Sequence, residues 1–285
     1  MKVDNFALSM FSTCPAKYAL RIREGWSAGR PSAALGFGGA THEGLAAWYR
    51  THDIKQMLLA VDEAWPSAMP IDDWRTKEKC LRLMTEYCKE YPEESFRVVG
   101  FPENPLIECT FTLDTGLRLD DGEIIEYGGI FDGLVEFADS VYVLEHKTAS
   151  KYDTYYFDRF KPDNQTSGYV WAAGEMSGRR VGGAIINGIF IYKASATKFE
   201  RRITTRSPQD ISAWLENVRR ICQMIRDCER KGEWPMFTGS CTQWGLCEYH
   251  AVHVLSTATE QQRLLEQDYQ RTTWDYEART GVKAE

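Results

Sequence analysis

The sequence lacks any long apolar run. A membrane-spanning helix needs about 18 or more consecutive apolar residues. No such stretch occurs among the 285 residues, so we expect no membrane partner. The N-terminal residues 1–5 contain no apolar core of a signal peptide, which places the chain in the cytoplasm. In that reducing compartment the eight cysteines favour free thiols or metal ligands over disulfides.

A surplus of positive charge is also missing. The chain has 34 Lys+Arg against 41 Asp+Glu and a net charge of −7, which argues against a generally basic, nucleic-acid-binding surface. Residues 193–206 differ locally, because Glu200 is their only acidic side chain among several basic ones. This predicted strand pair either faces phosphates or is a solvated hairpin. The side chains that would contact nucleic acid are Lys193, Lys198, Arg201 and Arg202.

Length and composition fit one large globular domain. The apolar fraction is 43% and the charged fraction 26%, both ordinary for a folded protein, and no internal repeat indicates a repeat architecture. We predict a single domain over residues 1–255, with a helical section at 39–91 and a Cys/His segment at 236–253, followed by a helical or frayed tail at 256–285. Hydrophobic periodicity and turn residues predict helices over 6–24, 39–51, 54–65, 74–91, 163–175 and 208–231, and strands over 106–113, 128–137, 141–147, 183–192 and 198–205.

Three polar residues stand at the ends of two of these predicted strands. Asp132 lies in one apolar run, and Glu145 and Lys147 end the next. Side chains alternate along a strand, so Glu145 and Lys147 share a face, and an antiparallel neighbour can bring Asp132 beside them. Two carboxylates and an ammonium group suit a Mg²⁺-dependent phosphodiester hydrolase, in which oxygen ligands hold the metal and the lysine orients the attacking water. A surface hairpin with a salt bridge fits the same three residues when they are taken alone.

Further elements occur around this triplet in a recognisable order. With them, the chain resembles the RecB-type branch of the PD-(D/E)XK nucleases, which includes the CRISPR adaptation nucleases and many phage exonucleases. The resemblance extends roughly from Ser9 to His253. The matching elements are Ser9–Tyr18 (S-x-x-x-x-C-P-x-x-Y), Gly38–Leu45 with its histidine, the core residues Asp132, Glu145 and Lys147, the Q-x-x-x-Y helix with Gln165 and Tyr169, and the cysteine-bearing segment Cys241–His253.

The resemblance implies an α/β, restriction-endonuclease-like fold, with a mixed central sheet flanked by helices, and it implies site residues. His42 would be a metal ligand, although a lone histidine on an apolar helix face is more often a core residue. Glu108 would be a second metal ligand or would support one, unless it is an ordinary edge-strand glutamate. The backbone carbonyl of His146 completes the predicted ligand set. Gln165 and Tyr169 are four residues apart and can enter one cleft, with core packing as the alternative for Tyr169.

The Cys/His segment allows more than one interpretation. In many relatives a [4Fe–4S] cluster joins one N-terminal cysteine to three near the C-terminus. Here Cys14, Cys241 and Cys247 match three of these places, and His253 stands where the fourth cysteine is expected. Clusters are normally held by four thiolates, whereas three cysteines and one histidine suit Zn²⁺. We favour an iron–sulfur cluster over zinc, and a site without metal is the third alternative.

These observations together predict a DNA nuclease that depends on Mg²⁺ or Mn²⁺. We expect an exonuclease of phage or mobile-element type that acts in recombination, end processing or replication. A recombinase, a helicase or another replication or recombination protein would be its partner, and homo-oligomers are a further expectation. The alternative is a non-catalytic DNA-binding or recruitment protein that keeps the fold and a metal cluster.

Overall fold

The structure is a computed structural model that describes residues 1–29, 32–67, 70, 74–193, 196–243 and 245–279. The helices of this part of the chain are α1 (Asn5–Thr13), α2 (Pro15–Tyr18), α3 (Ala33–Thr51), α4 (Ile54–Ala64), α5 (Lys77–Glu90), α6 (Asn164–Ser177), α7 (Pro208–Lys231), α8 (His250–His253) and α9 (Ala258–Asp268). The strands are β1 (Lys2–Asp4), β2 (Trp26–Ser27), β3 (Arg97–Val98), β4 (Ile107–Arg118), β5 (Ile124–Phe137), β6 (Ser140–Ala149), β7 (Val181–Phe190), β8 (Lys198–Thr204) and β9 (Gln270–Arg271). None of the helices described is both long enough and apolar enough to cross a membrane.

The chain groups into two compact units. The first comprises Met1–Arg30, Thr112–Gly129 and Ser212–Arg279, and the second comprises Pro31–Phe111 and Ile130–Ile211. The predicted division into one domain at 1–255 and a tail stays a prediction. Of the tail, residues 258–268 form α9, which Thr257 and Glu260 begin with a reciprocal capping box, and residues 280–285 lie outside the described part of the chain.

The sheet is mixed and runs in the order β1-β5-β6-β7-β8, with β3 and β4 also paired to β5. In the second unit β5 and β6 are antiparallel, with Leu134 opposite Val143. Strands β6 and β7 are parallel, and β7 and β8 are antiparallel. Helix α6 packs on β6 and β7, because its buried face opposes these strands. The structure thus confirms the predicted α/β class with a mixed central sheet flanked by helices.

The core of the second unit lies where α3, α4 and α5 meet the sheet. Large buried side chains on these helices include Tyr49, Met57, Leu83 and Tyr87. A Cβ atom at Gly44 would come within 2.6 Å of Val61, so only glycine permits this close approach of α3 to α4. The core fixes α3 beside β6, and α3 carries His42.

The sequence predicts the bounds of α7 correctly, but those of α3 and of the N-terminal helices only in part. Helix α7 has the predicted bounds, and α3 begins earlier than predicted because Ser32 caps it by accepting a hydrogen bond from Leu35 N. The single helix predicted over 6–24 is wrong. Cys14 is extended (φ −165°, ψ 111°) and separates α1 from α2, because a residue before proline avoids the helical region.

Candidate active site

The β5–β6 pair places Asp132 beside the strand that carries Glu145 and Lys147. Beyond the last pair of the ladder, Gly133 with Leu144, the two strands continue with Asp132 and Glu145. The backbone N–H of His146 donates to Asp132 Oδ2 over 2.6 Å. The antiparallel register therefore brings the three predicted core residues together and fixes the aspartate by a main-chain hydrogen bond.

Lys147 is held at the other end of the site by two acceptors. Its Nζ donates to Glu145 Oε1 over 2.5 Å and to Gln165 Oε1 over 2.8 Å. Gln165 Nε2 in turn donates to the Tyr169 hydroxyl over 3.3 Å. Gln165 stands in the first turn of α6, which Asp163 begins by accepting a hydrogen bond from Thr166 N. The side chains of Gln165 and Tyr169 thus form one hydrogen-bonded chain with Lys147.

Tyr169 also belongs to the packing of this region. Its ring meets those of Phe111 and Phe131 edge-on, with centroids 5.9 and 5.3 Å away. Burial raises the pKa of the hydroxyl far above its usual value, so it donates and accepts hydrogen bonds as a neutral group. The packing interpretation of Tyr169 therefore agrees with the structure, in which the hydroxyl also accepts from Gln165, and its role in the cleft stays a prediction.

His42, Glu108 and Asp132 form a compact group of potential metal ligands. One ligand atom from each lies within 4.8 Å of the others, and no other such group occurs among the residues described. His42 Nδ1 is 3.2 Å from Asp132 Oδ1. Three of the predicted metal ligands thus converge on one point beside Glu145. Carboxylate oxygens and an imidazole are ligands for Mg²⁺ or Mn²⁺.

The carboxylates crowd one another electrostatically. Burial, reinforced by the charge of Asp132, raises the pKa of Glu108 to about 8 and that of Glu145 to about 7. Although burial opposes ionisation of Asp132 as well, its pKa is held well below the usual range by His42 and by the His146 N–H. Burial disfavours the charged form of His42, but Asp132 prevails and raises the pKa of its imidazole to about 9. A divalent cation would relieve this repulsion.

One oxygen of Glu145 has no hydrogen-bond partner among the described residues. The residue is 5% exposed, its Oε2 is buried and unpaired within this part of the chain, and its Oε1 accepts from Lys147. A buried carboxylate oxygen without a partner is costly. A cation bound between Glu145 and the group of His42, Glu108 and Asp132 would satisfy it. The residues present therefore fit a divalent metal, and the predicted His146 carbonyl ligand stays a prediction.

Glu108 reaches this group from a strained backbone. It is a non-glycine residue at φ 52°, in the left-handed region, within β4. For most L-residues this conformation costs about 1–2 kcal/mol. Strain of this kind persists only where surrounding structure enforces it, and it is concentrated at functional sites. We infer that the strain orients the Glu108 carboxylate toward His42 and Asp132.

Replacing Glu108 with asparagine is expected to leave the protein more stable than replacing it with alanine, while both changes weaken metal binding. Asparagine tolerates the left-handed region, so the Asn variant should be about 1 kcal/mol more stable than Glu108→Ala. Both variants lose the carboxylate and should bind Mn²⁺ less tightly than the parent. Urea denaturation measures the first difference and calorimetric Mn²⁺ titration the second. An Asn variant less stable than the Ala variant would contradict the role assigned to the strain.

The ligand atoms of the predicted Cys/His site do not converge as those of His42, Glu108 and Asp132 do. Cys14 Sγ accepts a hydrogen bond from Phe237 N over 3.4 Å, which places the thiol against the segment that leads to Cys241. Cys247 N donates to Cys241 O over 2.8 Å. Yet no three of Cys14, Cys241, Cys247 and His253 bring ligand atoms within 4.8 Å of one another. The ligand atoms of a tetrahedral zinc site would lie closer together than this, whereas the spacing does not test an iron–sulfur cluster, whose thiolates bind different irons. A metal at these residues stays a prediction.

The basic residues of 193–206 are largely paired with carboxylates. Arg201 is the clearest departure from a phosphate-binding surface, since its side chain is only 14% exposed and its guanidinium is 2.5 Å from Glu94. Lys198 and Arg202 lie on the surface and both bridge Glu200, over 2.8 and 2.7 Å. Lys193 borders a surface cavity. The geometry of β8 resembles the solvated hairpin more than the phosphate-binding strand.

The predicted site residues do not include the His146 side chain, but the structure places its ring close to the site. Its ring is 5.8 Å from the His42 ring, edge-on, and is stacked 5.6 Å from Tyr49. Burial lowers the pKa of the imidazole to about 3. Strand alternation correctly puts this ring on the face opposite Glu145 and Lys147, but the helix α3 that carries His42 borders it there. Only knowledge of where α3 packs would have revealed this.

Comparisons with known proteins agree with the fold and show the family. The model of the PD-(D/E)XK nuclease superfamily matches residues 6–252, and no curated protein matches the sequence. A solved structure from Eubacterium rectale, provisionally described as an exonuclease, is similar with a TM-score of 0.52 and 11% identity, over 89% of this chain and 88% of that chain. The structure of SSO0001 is similar with a TM-score of 0.32 and 10% identity, over 73% and 80%. At such identity the first supports the fold alone, and the second is too dissimilar to support an argument.

Proposed function

The chain belongs to the PD-(D/E)XK nuclease superfamily, and from this premise we propose that it is a Mg²⁺- or Mn²⁺-dependent deoxyribonuclease that degrades DNA from its ends. Such an activity would serve recombination, end processing or replication. The exonuclease part rests on the resemblance to the RecB-type branch. A comparison of linear with circular DNA tests this exonuclease part separately from cleavage itself.

The main support for the proposal is that a group of potential metal ligands and the proposed catalytic lysine lie close together. His42, Glu108 and Asp132 converge within 4.8 Å, and Lys147 bonded to Glu145 lies beside them. A module that only binds DNA needs neither the buried, unpaired oxygen of Glu145 nor a lysine held between two acceptors. This arrangement favours hydrolysis over the alternative of a non-catalytic recruitment protein.

The proposed mechanism assigns a task to each side chain. His42, Glu108, Asp132 and Glu145 would hold the cation, and when bound the metal would supply Lewis-acid polarisation of the scissile phosphate and a more acidic water. Lys147 orients the attacking water and neutralises charge that develops on the phosphate oxygens. Gln165 restricts the Lys147 ammonium group to the cleft by accepting its hydrogen bond over 2.8 Å. Tyr169 restrains Gln165 in turn.

The proposal is tested with linear and covalently closed circular duplexes of one sequence. With Mg²⁺ or Mn²⁺ we expect complete degradation of the linear DNA, no nicking of the circle, and no cleavage of either after addition of EDTA. The Asp132→Asn variant is the matched control, since it removes the charge of one ligand at unchanged size. Nicking of the circle would overturn the exonuclease part only. Binding of DNA without cleavage under every metal condition would instead favour the non-catalytic alternative.

A metal site at the Cys/His residues is a separate proposal, which fewer observations support. A cluster or zinc ion at Cys14, Cys241, Cys247 and His253 would tie the N-terminal helix to the C-terminal segment. Three contacts favour this link: the Phe237 N–H bond to Cys14, the Ala16 N–H bond to Pro235 O over 3.1 Å, and the ion pair of Lys17 with Glu248 over 3.3 Å. Metal analysis and a visible spectrum of anaerobically purified protein decide between iron–sulfur, zinc and a site without metal.

A further inference from the structure

A row of polar side chains crosses three strands on the sheet face opposite Glu145 and Lys147. His146, Asn187 and Arg201 are partners in the registers of β6, β7 and β8, and partners in register project from the same face. Asn187 Nδ2 lies 2.8 Å from His146 Nδ1, and Arg201 Nε donates to Asn187 Oδ1 over 3.2 Å. The nuclease mechanism proposed above uses none of these side-chain contacts.

The chemistry of the groups fixes the direction of every hydrogen bond in this row. A guanidinium can only donate, so the amide oxygen of Asn187 must face Arg201 and the amide nitrogen must face His146. That nitrogen can only donate, and its second hydrogen goes to the Tyr87 hydroxyl over 2.8 Å. His146 Nδ1 must therefore accept, and the ring proton of the neutral imidazole lies on Nε2.

The row ends at a buried carboxylate. Glu94, 10% exposed at its side chain, accepts from Arg201 through both oxygens, over 2.5 and 3.0 Å. The Tyr49 hydroxyl also donates to Glu94 over 2.8 Å and lies 2.6 Å from the Tyr87 hydroxyl. Asn187, Tyr49 and Tyr87 are all fully buried. A carboxylate has no hydrogen to donate, so the whole network has one orientation.

The other end of the network reaches the nuclease site through the main chain. The His146 ring is clamped between the Asn187 amide and the stacked Tyr49 ring. The backbone N–H of the same residue holds Asp132 Oδ2 over 2.6 Å, and Asp132 Oδ1 faces His42 Nδ1. A shift of the His146 ring would therefore move the donor that fixes Asp132.

We propose that Asn187, oriented by Arg201 and Glu94, is a positioning residue of the nuclease site, which fixes His146 and through the His146 main chain sets the place of Asp132. This inference rests on the proposed function, because Asp132 is taken as a metal ligand. It assigns the buried Glu94–Arg201 ion pair a part in the geometry of the site. Outer partners of metal ligands typically change metal affinity or activity about 10- to 100-fold when they are removed.

The test compares Asn187→Leu with Ile225→Ala. Leucine keeps the branched shape of asparagine but cannot hold His146, whereas Ile225→Ala loosens a different buried cluster, on α7, that contains no residue of the network. At a temperature where both variants are folded, we expect about 10- to 100-fold weaker Mn²⁺ binding for Asn187→Leu, measured by electron paramagnetic resonance without DNA, and a similar fall in kcat. Ile225→Ala should change neither quantity, although its melting temperature falls.

Two results would overturn the inference. The first is parental Mn²⁺ affinity and kcat in Asn187→Leu, or in Asn187→Ala should the leucine variant not fold. The second is obtained on the parent protein without metal or DNA: a long-range ¹H–¹⁵N spectrum that shows His146 protonated at Nδ1. Failure of the proposed function is a separate observation, namely a parent that binds Mn²⁺ but does not cleave DNA.

Discussion

Replacing Lys147 with alanine is expected to lower the rate of DNA cleavage by about 10²- to 10³-fold, the usual effect of removing one group that stabilises transition-state charge. Among the described residues, the ammonium group of Lys147 donates hydrogen bonds to Glu145 and Gln165. Its removal leaves every proposed metal ligand in place, so metal binding should persist. Burial opposes the charge on Lys147, but Glu145 outweighs it and raises the pKa of the ammonium group above its usual value. The lysine is therefore protonated throughout the pH range in which the nuclease would be assayed.

The matched control is Lys151→Ala. Lys151 follows β6 at an exposed position and has the same charge and length, so its removal should leave the rate unchanged. Single-turnover cleavage with saturating Mn²⁺ separates chemistry from binding. Parental rates in Lys147→Ala would refute the catalytic role of the lysine. A loss that excess Mn²⁺ restores would instead show that Lys147 serves metal binding.

The meeting of Asp132, Glu145 and Lys147 could be predicted because it depends on local rules. Strand alternation alone puts Glu145 and Lys147 on one face, and two apolar runs in sequence make an antiparallel neighbour with Asp132 the simplest pairing. Helix spacing likewise puts Gln165 and Tyr169 on one side of α6. Each of these relations spans a few residues or two neighbouring strands. In the structure, hydrogen bonds connect Lys147 to Glu145 and to Gln165, and Gln165 to Tyr169, while Asp132 accepts from the His146 N–H.

Residues whose roles depend on strand register could not be assigned from the sequence. Arg201 and Arg202 are adjacent and equally basic, yet alternation sends one into the protein and the other to the surface. Which of the two is buried depends on the pairing of β7 with β8 and on Glu94, far away in the chain. The same applies to Cys14 and Cys241, because their spacing in the sequence does not determine whether their side chains converge in space.

Replacing Arg201 with methionine is expected to destabilise the protein by about 3–5 kcal/mol, because it leaves Glu94 buried without its partner. Arg202→Met, one residue further along β8, should cost less than about 1 kcal/mol, since Arg202 is 64% exposed and its ion pair with Glu200 is solvated. Urea denaturation measures both. The double variant Glu94→Gln/Arg201→Met should recover part of the loss, because it removes the buried charge. An equal cost for the two arginine variants would mean that Arg201 is not buried as described, and would return it to the surface on which the sequence analysis placed it.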